Sequence, residues 1–146
     1  MSVTAGKDKI YIGGYDKVII LNTEGSLVRK ITTNPGFNNN LLYNERNDQL
    51  LLRQDEGFCC INLDGHVIYR YDISGGRGLA VDQQGYVYIS GADDIRRLSP
   101  DGTFRDIVLS KHDGVDEPGS ITFNNDFTKL FIINRGGKTV LVYSCK

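Results

Sequence analysis

A tetrapeptide turn that returns at a near-constant interval constrains this chain more than any other feature. In "RRLSPDGTFRDIVL", Arg96 to Leu109, two short apolar runs flank Ser99-Pro100-Asp101-Gly102. Proline at the first central position presets φ at about −65°, aspartate hydrogen-bonds its own backbone and glycine accepts φ > 0, so the stretch predicts a tight hairpin. Echoes stand upstream at Asn22-Thr23-Glu24-Gly25 and Leu63-Asp64-Gly65-His66, which places the three glycines 40 and 37 residues apart.

The turn belongs to a larger repeat. Ile10-Tyr11-Ile12, Leu50-Leu51-Leu52, Val87-Tyr88-Ile89 and Leu130-Phe131-Ile132 recur at steps of 40, 37 and 43 residues. Each follows a polar or glycine-bearing turn, before which sits another short candidate strand: "MSVT", "NLLYN", "GLAVD" and "SITFN". Each is followed by a polar connection and a third run: "VIILN", "FCCIN", "IRRLS" and "TVLVYS". In the first three units the tight turn leads to a fourth: "SLVRKI", "HVIYRY" and "TFRDIVL". These runs are rich in β-formers, and no window carries a sustained helical stripe. A β-sandwich has strands of similar length but no fixed period.

The pattern therefore predicts an all-β chain, a β-propeller fragment of four consecutive four-stranded blades over residues 1–33, 38–73, 77–110 and 118–146. The last blade lacks its outer strand. The expected arrangement is an open arc rather than a closed ring, the C-terminal part of a larger ring whose beginning supplies the missing strand. The uncovered blade ends and the edge "TVLVYS" predict association with that remainder or with another copy.

Composition narrows the class. With 146 residues, 40% apolar and 24% charged, the chain reads as one soluble globular domain. A net charge of −1 gives no bulk attraction to nucleic acid or anionic lipid. No stretch approaches the about 20 apolar residues of a membrane span, and "MSVTAGKDK" has no signal-peptide core. No membrane partner is expected. The three cysteines, Cys59, Cys60 and Cys145, are odd in number and two are adjacent. Neighbours on a strand point to opposite faces, so a disulfide framework is not expected and a reducing, cytoplasmic setting is.

The unit Gly78 to Phe104, "GLAVDQQGYVYISGADDIRRLSPDGTF", resembles an NHL repeat with its G-x-A-V-D-x-x-G-x-x-Y-V pattern. The stretch Pro118 to Lys146, "PGSITFNNDFTKLFIINRGGKTVLVYSCK", is similar to the C-termini of tripartite-motif proteins. The first two units match more loosely, since "LLYNERNDQLLLRQ" lacks the repeat's glycine and aspartate in its first turn. The resemblance implies a recognition propeller that sits behind a RING, a B-box and a coiled coil. A RING needs a Cys/His array for two zinc ions, and three cysteines with two histidines do not provide one.

Catalytic signals are weak. His66 falls in a hairpin turn and His112 in "SKHDGVDEPG", neither beside a nucleophile, and no G-x-S-x-G occurs. Asp113, Asp116 and Glu117 lack the spacing of an EF-hand, and Gly75 to Gly78, "GGRG", reads as a connection between blades. No catalytic residue, metal or cofactor is expected. A hydrolase or lyase propeller fragment ranks behind the binding readings.

In a blade, the loop between the second and third strands shares a side with the connection into the next blade. That face gathers the cations Lys17, Arg53, Arg77, Lys111, Arg135 and Lys138. It also gathers His112 and the acids Asp16, Asp55, Glu56, Asp93, Asp94, Asp113, Asp116 and Glu117. The resemblance implies two uses for it: a protein-interaction platform of the kind that selects substrates for a ubiquitin ligase, or a single-stranded RNA face built on Arg53, Arg77 and Arg135. The acidic neighbours favour the protein partner.

Overall fold

A computed structural model describes residues 1–55 and 57–145. The chain divides into two compact units, Met1–Asp72 and Ile73–Lys146, and each holds two antiparallel sheets whose strands run in simple chain order. Among the described residues there is no α-helix, only two single-turn 3₁₀ segments, Lys111–Asp113 and Arg135–Gly137. Among the described residues no helix is long and apolar enough to cross a membrane.

In the first unit, β1 (Ser2–Gly6), β2 (Lys9–Gly13), β3 (Tyr15–Asn22) and β4 (Leu27–Phe37) form one sheet. The other comprises β5 (Asn40–Asn44), β6 (Gln49–Gln54), β7 (Gly57–Asn62) and β8 (Val67–Asp72). Tyr11, Val18, Ile20 and Ile31 from the first sheet meet Leu41, Tyr43, Leu50, Leu52, Cys59 and Ile61 from the second in one core. At about 1.5–3 kcal/mol for each large apolar side chain, this burial is what holds the pair together. Cys60 lies on the opposite face of β7 from Cys59 and is also buried, its thiol donating to Gln49 Oε1 at 3.3 Å. All three cysteines are free.

The second unit holds β9 (Leu79–Val81), β10 (Val87–Ser90), β11 (Ile95–Leu98) and β12 (Phe104–Leu109), followed by β13 (Ile121–Phe123), β14 (Lys129–Asn134) and β15 (Thr139–Ser144). The last sheet is three-stranded, as the sequence predicts. Ala80, Tyr88 and Ile95 pack with Val115, Ile121, Leu130 and Ile132, and Tyr88 meets Phe123 edge to face at 5.0 Å. Tyr11, Leu51, Tyr88 and Phe131 occupy the second strand of their respective sheets, the positions that the repeat assigns them. Leu51 and Phe131 lie on the opposite strand face from their neighbours Leu50, Leu52, Leu130 and Ile132, because side chains alternate along a strand.

The hairpins between third and fourth strands share one geometry. The carbonyls of Asn22, Asn62 and Ser99 accept the N–H of Gly25, Gly65 and Gly102 at 3.0, 3.1 and 2.8 Å, and these glycines have φ of 86°, 90° and 88°. Each first residue also donates its own N–H to the carbonyl just after the glycine. This is a type I turn closed by a left-handed glycine bulge. Its second copy begins at Asn62, one residue earlier than the sequence comparison aligned it. The reason is the Asn62 side chain, whose Oδ1 accepts from the N–H groups of Asp64 and His66.

Candidate functional site

Two buried asparagines organise the loop ends of the sheets. In the first unit Asn38, 0% exposed, donates through Nδ2 to the carbonyls of Gly14 and Lys17 at 2.9 and 3.0 Å. Its Oδ1 accepts from Gln54 Nε2 at 3.1 Å, and Gln54 spends its other amide hydrogen on the Asn34 carbonyl at 3.2 Å. The connection between the two sheets is thus bonded to the turn before β3 and to the end of β6. In the second unit Asn134 donates to the Gly114 carbonyl at 3.0 Å and accepts from the Asp116 N–H at 2.9 Å. That bond pins the connection ahead of β13 to the turn after β14.

Around Asn38 the first sheet departs from the repeat. β4 runs eleven residues, whereas β8 and β12 run six each. Lys17 pairs with Thr32 and Tyr15 with Phe37, so residues 33–36 bulge out opposite Asp16 alone. Pro35 has no N–H to give a ladder, and Gly36 sits at φ 134°. The bulge roofs a cavity of about 420 Å³ lined by Asn34, Pro35, Gly36, Gln54, Asp55, Gly57, Phe58, Cys59, Arg70, Tyr71 and Asp72. A second cavity of about 140 Å³ shares Asn34, Cys59 and Arg70 and continues past Thr32, Thr33, Gly65 and Val67. The two adjoin at these shared residues, between β4 and the second sheet, and the larger forms a groove. Just beyond Gly36, Phe37 meets Tyr15 edge to face at 5.0 Å, and these rings are 53% and 52% exposed.

The charges around the groove are mixed. Asp55 is held by Asn39 Nδ2 at 2.6 Å, and Asp72 and Arg70 are exposed. Burial pushes the Cys59 thiol upward in pKa, opposed by the Arg70 charge, so the wall beneath is neutral. Arg53 corrects an expectation: it is 0% exposed and donates to the Gly57 carbonyl at 3.2 Å. Burial pulls its pKa down to about 10 against the pull of Asp55. It is a structural cation, because β6 is covered on both faces and extends to Gln54. Lys17, in the same unit, is half-buried, and Glu56 lies outside the described residues.

The remaining sequence-derived residues fall in the second unit. Asp94 is engaged by Arg96 at 3.1 Å, while Arg77 and Asp93 are exposed. His112 and Asp113 share an exposed 3₁₀ turn, and Tyr143 donates its hydroxyl to the Asp113 carbonyl. Arg135 stands 4.0 Å from Asp116, and its N–H donates to the Asp116 carbonyl at 2.7 Å. Lys138 is exposed. Asp116, Glu117 and Arg135 thus come together, but among the described residues no three His, Cys, Asp or Glu side chains converge as metal ligands. Tyr15, Phe37, Arg70, Asp72 and the 33–36 bulge are absent from the sequence-derived set.

The sequence matches no protein-family model and no curated protein. Solved structures do match. The β-propeller domain of Cps50 (Swd1) from Myceliophteria thermophila is similar with a TM-score of 0.77 at 13% identity, over 100% of this chain and 51% of that one. The computationally designed Ika4 protein is similar with a TM-score of 0.73 at 15% identity, over 99% and 90%. A Bacteroides caccae protein of unknown function is similar with a TM-score of 0.70 at 12% identity, over 99% and 56%. The chain thus spans about half the length of two of these. At such identities the likeness shows the fold alone: this is a β-propeller chain whose sheets are its blades.

Proposed function

We propose that this chain is a non-catalytic protein-interaction module, built like the C-terminal NHL propeller of a tripartite-motif ubiquitin ligase and used to recognise that ligase's substrates. The observation that carries the reading is the exposed Tyr15–Phe37 pair beside the groove under the β4 bulge. Aromatic rings left open to water next to a concave polar surface are the composition of protein-recognition hot spots. A nucleic-acid face instead needs clustered, uncompensated cations. Here Arg53 is buried and Arg135 faces Asp116, which weakens the single-stranded RNA alternative. The NHL-like sequence of the third blade supports the family reading, and the free cysteines suit a reducing, cytoplasmic setting. Ubiquitin transfer would belong to a RING, not to this chain.

The test is to pan a display library of random peptides on the immobilised chain, alongside a salt titration with single-stranded RNA homopolymers. Enriched peptides that lose binding in the Tyr15→Ala, Phe37→Ala double variant support the reading. No enriched peptide, together with RNA binding that weakens steeply with salt, would overturn it.

A further inference from the structure

We infer that the groove in the first unit is a subsite for a basic side chain, a lysine or arginine within an extended segment of the partner, and this rests on the protein-interaction reading above. Three features converge on it. The first is shape. The larger cavity, about 420 Å³, falls within the about 300–1,000 Å³ range of ligand pockets. A smaller cavity adjoins it at Arg70, on the side of Val67. A chain fits such a groove, with one side chain inserted and the backbone running on.

The second is charge. Along the larger cavity Asp55 and Asp72 stand against the single lining cation Arg70. Arg53, buried and bonded to the Gly57 carbonyl, offsets part of that charge from behind, and the balance at the lining itself favours a cation over a phosphate. The geometry is prepared in advance: Asn39 orients Asp55 at 2.6 Å. Gln54 is fixed by Asn34 and Asn38 through both amide hydrogens, which leaves its Oε1 as an acceptor at the lining. Half-buried Tyr71 supplies flat surface on which a guanidinium stacks. Arg70, at the junction of the two cavities, is placed to donate to carbonyls of the bound backbone.

The third is irregularity. Smaller register shifts occur in the other sheets, at Ile95/Arg96, Arg97/Leu98 and Cys60/Ile61, but here four residues, 33–36, are ejected, and Asn34, Pro35 and Gly36 of that bulge line the cavity. Departures from a local pattern concentrate where function needs them. The Tyr15–Phe37 pair directly follows that roof and is suited to an apolar or aromatic residue flanking the basic one.

The experiment uses peptides enriched on the full chain by display panning, resynthesised with a fluorophore and read by anisotropy. The expected result is an arginine or lysine near an aromatic in the enriched set. Arginine to citrulline in the peptide, or the isosteric Asp55→Asn with Asp72→Asn in the protein, should weaken binding about tenfold. Arginine to glutamate should abolish it. Unchanged circular dichroism of the variant secures the comparison. Enriched peptides without a basic residue, or ones indifferent to both carboxylate changes but lost on Tyr15→Ala, overturn the basic-residue assignment and leave the interaction reading standing. No enriched peptide, with binding confined to RNA, overturns both.

Discussion

Tyr11 and Tyr43 stack face to face across the two sheets of the first unit, with centroids 4.8 Å apart and planes within 14°. The contact explains a glycine: a Cβ on Gly6 would stand 2.1 Å from Tyr43 Cδ1, so the first strand must be bare where the ring crosses it. Tyr43 is further fixed by its hydroxyl bond to Asp48, and burial together with that carboxylate keeps the phenol protonated. Tyr11→Ala is expected to cost about 3–5 kcal/mol in chemical denaturation of the full chain. Gly6→Ala is expected to cost about 1–3 kcal/mol by overpacking. A Gly6→Ala chain as stable as the parent would refute the packing account.

The shared hairpin geometry yields an ordered pair of effects. Gly25 and Gly65 have φ of 86° and 90°, so alanine at either meets the left-handed penalty of about 1–2 kcal/mol. A Cβ at Gly25 meets nothing within 4 Å, whereas at Gly65 it comes within 2.9 Å of Ile31 Cγ2. Gly65→Ala should therefore destabilise more than Gly25→Ala, by urea midpoint. The reverse order would show that the turns are not equivalent.

The cysteines give a pH signature. Burial pushes the Cys60 thiol from its ordinary value of 9.0 up to about 12. Above pH 9 the unfolded chain loses this proton while the folded chain keeps it, so stability should fall as pH rises. Arg53, pulled down to about 10, titrates in the same range with the opposite sign, so the Cys60 contribution is the difference between the parent and Cys60→Ala, whose slope should be less negative. Alkylation under native conditions should label Cys145 first, because Cys59 and Cys60 are buried. Early labelling of Cys60 in an intact-mass time course would contradict its placement.

The strands were legible because turn chemistry is local: Asn22, Asn62 and Asp101 each accept backbone N–H groups within four residues. The site was not, because it depends on register and on burial. Tyr15 and Phe37 are 22 positions apart and become partners only through the slip that ejects residues 33–36. Asn38 opens the second blade ahead of "NLLYN" and Asn134 opens the polar connection "NRGGK", so neither signals a core role, yet each is buried and bonds two backbone groups. Arg53 follows Leu50-Leu51-Leu52 and reads as the polar end of an apolar run, but β6 continues through it under cover.

Arg53 and Arg135 therefore separate fold from surface. They occupy comparable places after the apolar run of a second strand, and an RNA face would use both in one role. The structure divides them: Arg53 is 0% exposed and bonded to Gly57 O, whereas the Arg135 side chain is 60% exposed and only 4.0 Å from Asp116 at its closest. Truncating Arg53 leaves a cavity and an unsatisfied acceptor at the Gly57 carbonyl, so Arg53→Ala should cost about 3 kcal/mol or more. Arg135→Ala should stay within about 0.5 kcal/mol, since exposed ion pairs contribute little. Calorimetry and urea denaturation on both variants check this. A neutral Arg53→Ala with a destabilised Arg135→Ala would invert the assignment and return Arg53 to the surface.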